Sequence, residues 1–165
     1  NPASNMKLAN GIAPLTDMMD AGITVGLGTD GCASNNTLDM IKEMSTAAKL
    51  HKVAMLDPTV MNALTALRMA TINGAKALGM GNLTGSLEVG KKADIILLGL
   101  NKPHLTPMYN AYSHLVYAAS GADVDSVIIN GKLVMEDRRL LTIHEDEIMA
   151  EVRKIAVNIK KSMNM

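Results

Sequence analysis

The stretch V-G-L-G-T-D-G, Val25 to Gly31, admits two readings that lead to different folds. Gly26, Gly28 and Gly31 satisfy G-x-G-x-x-G, the spacing with which a strand-to-helix turn holds a dinucleotide pyrophosphate. The same residues also carry a short apolar strand, Ile23 to Leu27, into Asp30. A carboxylate just past the carboxyl end of a strand is where a (β/α)8 barrel keeps catalytic residues. The phosphate reading needs a helix that begins at the third glycine and a second strand ending in an acid about twenty residues on. Cys32 to Asn36 reads as loop, the region around His51 reads as helix, and Asp30 would bring negative charge to the phosphate. The metal reading fits better, although spacing alone leaves Asp30 equally open to a plain loop-turning role.

Outward from this loop, Pro14 opens a helix with Ile12, Leu15, Met18 and Met19 on one face, and Gly22 stops it. Thr37 is placed to cap a helix in which Met40, Ile41, Met44, Ala47, Ala48 and Met55 recur at helical spacing. Asp57-Pro58 predicts another helix start, with Val60, Leu64, Leu67 and Met69 following, and Thr71 to Leu78 adds a turn or two before Gly79. Beyond Gly81 the texture changes. Leu87 to Lys92 is a polar turn, and Ala93 to Leu98 reads as a strand buried on both faces. Asn110 predicts a capped helix to Ala119. Val124 to Ile129 and Lys132 to Met135 flank Asn130-Gly131, a two-residue hairpin signal. Thr142 and Glu145 make a T-x-x-E capping box for a last helix to about Ser162, with Ile148, Val152, Ile155 and Ile159 inward. The class is therefore α/β, in three segments: 1–82, 83–138 with an inserted helix, and a C-terminal helix within 139–165.

Sixteen basic residues balance sixteen acidic ones, which gives no general attraction to nucleic acid or an anionic membrane. No apolar run is long enough to span a bilayer, and no secretory signal is visible. One cysteine, Cys32, excludes an internal disulfide framework and fits a reducing, cytoplasmic setting. Phe and Trp are absent, and fourteen Met take over bulky packing, so the core is expected to be rich in Met. His51, His104, His114 and His144 are far apart, with no H-x-H or H-x-x-x-H, and complete no metal site by spacing. Cys32 stands near Asp30 without an obvious base and reads as a small filler. The chain opens on Asn1-Pro2, which composition cannot assign to processing or to a fragment.

Three stretches are more specific: N-P-A-S-N-M-K-L-A-N-G-I-A-P (1–14), G-L-G-T-D-G-C-A-S-N-N (26–36) and G-S-L-E-V-G-K-K-A-D-I-I-L-L (85–98). They resemble the amidohydrolase superfamily. The stretch 101–125, N-K-P-H-L-T-P-M-Y-N-A-Y-S-H-L-V-Y-A-A-S-G-A-D-V-D, narrows the resemblance to the 5-methylthioadenosine/S-adenosylhomocysteine deaminase branch, relatives of the triazine chlorohydrolases.

The resemblance runs along essentially the whole chain. It implies the C-terminal part of a (β/α)8 metallo-hydrolase barrel plus the C-terminal share of a small β-sandwich. The family's H-x-H, its later metal and catalytic histidines and its proton-handling Glu would lie upstream. Asp30 then matches the Asp on the last barrel strand, a ligand of one divalent metal, usually zinc, that also helps activate water for attack on an adenosine-type nucleoside. Ser4 and Asn5 match a motif at the end of the preceding strand. Asn5, Asn35 and Asn36 are candidates for shaping the loop or binding substrate. Cys32 departs from the expected small residue. Such a segment is expected to be inactive alone and to depend on the upstream segment or on self-association. Other readings stay open: a non-catalytic α/β assembly or binding module, a triazine- or guanine-type amidohydrolase, and nucleotide binding at Gly26 to Gly31.

Overall fold

Residues 1–163 are described by the computed structural model. Ser4 and Asn5, which the resemblance sets at the end of a strand, lie in a short helix, α1 (Pro2–Lys7). Pro2 at the first position loses no intrahelical bond, since that N–H would be unpaired anyway. The helix α2 (Leu15–Asp20) follows Pro14 as expected, and Gly22 leaves it with φ +76°. Ile23 to Leu27 is extended but pairs with no other strand among the described residues. It is anchored on helices: the Ile23 N–H donates to Met18 O and the Leu27 N–H to Met69 O, both at 2.9 Å. Gly26 permits that approach, because a Cβ there would stand 3.0 Å from the Gly74 Cα.

A single turn, α3 (Cys32–Asn35), begins directly after Gly31, where the sequence reads as loop. The long helix α4 (Met40–Met55) is capped by Asp39, not Thr37: the Asp39 carboxylate accepts from the Ile41 and Lys42 N–H groups. Likewise Asp57 does not start a helix. Its carboxylate binds Thr59 in a local turn, and α5 (Ala63–Ala70) is capped by Asn62 through the Thr65 N–H. Next comes α6 (Ile72–Ala77). The core lies where α2, α4, α5 and the later helix α7 (Ala111–Tyr117) meet, built on Leu15, Ile41, Met44, Ala48, Met61, Ala66, Met69 and Val116. Three of these eight are Met, as the missing aromatics require.

The second half forms one antiparallel sheet in the order β1-β2-β3-β4: β1 (Ile95–Leu98), β2 (Val124–Ile129), β3 (Lys132–Glu136) and β4 (Arg139–Leu140). The hairpin between β2 and β3 turns at Asn130 (φ +51°) and Gly131 (φ +77°), both left-handed as a type I′ turn demands. Asn110 caps α7 through the Ser113 N–H. Three expectations fail here. β1 is not buried on both faces, since Ile96 and Leu97 are about half exposed. The final helix α8 (Glu145–Ser162) has His144 at its cap with no side-chain cap bond, so the T-x-x-E box does not close. Its supposed inner stripe, Ile148, Val152, Ile155 and Ile159, is 46–56 % exposed. The stripe has helical period but no neighbour to face among the described residues. The result is a mixed α/β fold with one four-stranded antiparallel sheet.

Candidate functional site

Asp30 follows the unpaired segment 23–27 as an exposed residue with φ +63°, a left-handed conformation. The one-turn helix then folds back beneath it. The Ser34 hydroxyl donates to Asp30 Oδ2 at 2.5 Å. That bond first, then the Gly31 backbone N–H and the nearby Ser4 hydroxyl, hold the Asp30 carboxyl below its ordinary value. Asp30 is thus an exposed, ionised oxygen donor at neutral pH. Ser4 Oγ itself is buried and makes no hydrogen bond of normal geometry, an unpartnered polar atom beside the carboxylate.

Asn35 braces the loop. Its Nδ2 donates to the Thr29 carbonyl and to Glu43 Oε1, each at 2.6 Å, while its Oδ1 accepts from the Thr37 hydroxyl at 3.1 Å. All its polar atoms are engaged by the protein. Asn36 closes the turn at φ +70° and accepts from Lys7 Nζ on α1. Asn5 is partly buried on α1. The structure therefore gathers Asp30, Ser34, Asn35 and Asn36 into one loop linked to α1 through Lys7, with Ser4 near the Asp30 carboxyl, whereas Asn5 lies on α1 without a side-chain bond to that loop.

Sequence reasoning missed Glu43. It is 1 % exposed and its Oε2 accepts from the Ala3 N–H at 3.3 Å, so one carboxylate joins α1, α4 and the Asp30 loop. A signal existed: Glu43, Ala47 and His51 form an i, i+4, i+8 row inside the apolar face of α4. His51 is buried in that row, with Nδ1 2.8 Å from Ala47 O and Nε2 3.1 Å from Ala13 O.

The other histidines stand apart. His104 Nε2 lies 3.1 Å from Asp123 Oδ2, a buried carboxylate that also takes Lys102 Nζ at 2.7 Å and the Ser120 N–H at 2.8 Å. The Lys102 ammonium above all holds the Asp123 carboxyl far below the usual range. Lys102, His104 and Ser120 of the stretch 101–125 are thus tied together through Asp123. His114 belongs to α7 and His144 to the start of α8. Cys32 is exposed and opens α3.

Among the described residues no three His, Cys, Asp or Glu side chains converge on a metal position. Asp30 suits one place in a ligand set: it is ionised and exposed, with hard oxygen donors. A protein zinc site ordinarily takes three or more ligands, so the remainder must come from elsewhere. A wide groove of about 670 Å³, lined by Leu27, Leu67, Leu78, Met80, Leu87 and Ile95 among others, does not include Asp30. The dinucleotide reading loses its support. A turn of helix does follow Gly31, but the residues further on form α4 rather than a strand ending in an acid.

The model of the amidohydrolase family matches residues 1–134. A protein of Syntrophus aciditrophicus, named 5-methylthioadenosine/S-adenosylhomocysteine deaminase 1, is 62% identical over 163 residues, covering 99% of this chain and 37% of that protein. Among solved structures, an adenosine deaminase from Xanthomonas campestris with bound zinc superposes with a TM-score of 0.93 at 41% identity, over 97% of this chain and 36% of that one. An atrazine chlorohydrolase from Arthrobacter aurescens complexed with zinc gives 0.85 at 30% identity, over 92% and 34%. The chain spans little more than a third of the length of these proteins.

Proposed function

The chain belongs to the amidohydrolase family, and from that premise we propose that it is the C-terminal part of a metal-dependent deaminase of adenosine-type nucleosides, 5-methylthioadenosine and S-adenosylhomocysteine being the expected substrates. The observation that carries this is Asp30: ionised, exposed, and fixed at the end of an extended segment by Ser34. In this reading Ile23 to Leu27 is the last strand of a (β/α)8 barrel, and β1 to β4 are the C-terminal share of a β-sandwich. Segments 1–82 and 83–138 then correspond to the two units, with α8 appended.

Asp30 would supply one ligand to a divalent metal, zinc as the relatives' structures suggest, with the other ligands on the upstream part of the longer chain. When bound, such a metal supplies the charge that brings a water's pKa toward neutrality. The Asp30 carboxylate would be the group placed to accept a proton from an attacking water and to return it to the departing ammonia. Ser34 holds the carboxylate in place for that transfer. Asn36 and Asn5 border the same loop and are proposed to shape the substrate side, whereas Asn35 serves the loop itself. This segment alone, with one ligand, is expected to be inert. We assign it no nucleic acid or membrane partner; no helix among the described residues is long and apolar enough to cross a membrane. A cytoplasmic setting remains part of the proposal.

The test is ammonia release by a full-length polypeptide carrying this segment, offered 5-methylthioadenosine, S-adenosylhomocysteine, guanine and a chlorotriazine in turn. Turnover of the adenosine-type substrates, lost by at least about a hundredfold in Asp30→Asn, is the expected result. Preferential turnover of guanine or the triazine would assign the chain to another branch, a reading to which the chlorohydrolase likeness lends weight. Unchanged turnover in Asp30→Asn would remove Asp30 from the chemistry.

A further inference from the structure

We infer that Glu43 is the positioning residue of the Asp30 site, setting the height and direction of that carboxylate through Asn35 and α1. The inference rests on the reading of Asp30 as the site's metal-binding carboxylate.

Glu43 is almost fully buried, and both its oxygens are taken by neutral donors: Asn35 Nδ2 at 2.6 Å and the Ala3 N–H at 3.3 Å. It makes no ion pair among the described residues. A buried carboxyl group without a cation is costly, and plain helix packing does not require one, since Met44 and Ala47 beside it fill space as well. What a carboxylate adds is two acceptors at fixed separation, here spanning residues 40 and 8 positions away in sequence.

The links then run in one direction. The Thr29 carbonyl and Glu43 Oε1 only accept, which fixes the orientation of the Asn35 amide, and the Thr37 hydroxyl donates to its Oδ1. Nδ2 therefore faces Glu43 and the Thr29 carbonyl, the group that immediately precedes Asp30. On the other side, the Ala3 N–H holds the first turn of α1, whose next residue is Ser4. Ser4 Oγ is buried, unpartnered and beside the Asp30 carboxyl. Glu43 thus grips both walls of the site without touching the reacting atoms. A ligand's partners beyond its own contacts set metal affinity when they orient it.

The experiment uses a full-length polypeptide carrying this segment, with metal affinity measured by chelator competition, kcat and KM measured separately, and thermal stability followed. Glu43→Gln sets an amide N–H against one of two donors. It should weaken metal binding about tenfold to a hundredfold and lower kcat while leaving KM nearly unchanged. The exchange Glu43→Gln with Asn35→Asp restores the link between the two side chains and keeps an acceptor for the Ala3 N–H, while the Thr29 carbonyl loses its donor. Metal affinity and kcat should recover part of the way toward the parent. Stability regained with affinity no better than in Glu43→Gln would overturn the inference, because Glu43 would then be a packing anchor only. If Glu43→Gln does not fold, the exchange variant is compared with Asn35→Asp alone, and equal metal affinity in the two would overturn the inference. Asp30→Asn separates the two claims. Loss of metal in Asp30→Asn with none in Glu43→Gln defeats the inference and spares the Asp30 reading. Retention of metal and turnover in Asp30→Asn defeats the Asp30 reading itself.

Discussion

Asp30 is held in a backbone conformation that most side chains resist. Its left-handed φ costs about 1 kcal/mol for a residue with a Cβ and nothing for glycine. In thermal or urea unfolding, Asp30→Gly should therefore be at least as stable as Asp30→Ala, by up to about 1 kcal/mol. Both would lose turnover in the full-length protein. The opposite stability order would show that the loop relaxes once Ser34 has lost its acceptor. Asp123 shows the contrary use of a carboxylate, buried and paired with Lys102 and His104. Its folded pKa lies below the unfolded value of about 3.9. The stability it contributes is therefore complete above pH 4 and drains away as pH falls through the folded value. Asp123→Asn should cost about 3 kcal/mol at pH 7, with the gap to the parent narrowing in urea melts below pH 4. The glycines and apolar run that frame Asp30 made it a candidate, but spacing alone left it equally open to a loop-turning role, and only the family resemblance favoured the metal reading. Glu43 showed in the sequence as an acid inside the apolar face of α4, but its purpose did not, because one of its partners lies 40 residues away.

The element scale shows which local rules prevailed. Asn110 caps α7 and Asn130-Gly131 turns the hairpin as their letters announce, since both need only neighbours in sequence. Thr37 lost the α4 cap to Asp39, two residues on, because Asp39 satisfies two helix N–H groups and also accepts the Gly121 N–H at 3.0 Å. A tertiary bond decided a local choice. Asp39→Ala should accordingly cost about 1–2 kcal/mol, a full cap's worth, read as a shift in denaturant midpoint. The extended segment 23–27 illustrates the reverse: strand periodicity was present, but a ladder needs a second chain segment, and Met69 and Gly74 on helices are what it meets. Two glycines of like φ offer a further test. Gly131 (φ +77°) has open space where a Cβ would go, whereas at Gly85 (φ +89°) a Cβ would sit 2.7 Å from the Ala75 Cβ and 2.9 Å from the Ile72 Cα. Gly131→Ala should cost about 1 kcal/mol, and Gly85→Ala distinctly more. Equal losses would mean that the 81–85 turn moves aside.

For the whole molecule, the exposed area is the telling quantity. The chain presents 10929 Å² to solvent, against about 7,900 Å² for a compact monomer of 17.5 kDa. Large apolar side chains contribute to that exposure, among them Ile148, Val152, Ile155 and Ile159 on α8, Ile96 and Leu97 on β1, and Leu78, Leu83, Leu87 and Val89. Class and family resemblance were legible from the letters because they are local patterns. Which apolar faces stay exposed was not, since an apolar stripe looks alike whether it meets a neighbour or water. Purified alone, this chain should self-associate or bind a hydrophobic dye strongly, as judged by sedimentation and fluorescence. A single sharp monomer without dye binding would contradict that expectation. The methionine-built core has one more consequence. Met44, Met61 and Met69 are at most 4 % exposed, whereas Met6, Met55 and Met163 are more than half exposed. Thioether oxidation follows access to peroxide. The protein therefore carries its own chemical clock: surface sulfurs oxidise at once, and the rate at which Met69 follows reports how often the core opens.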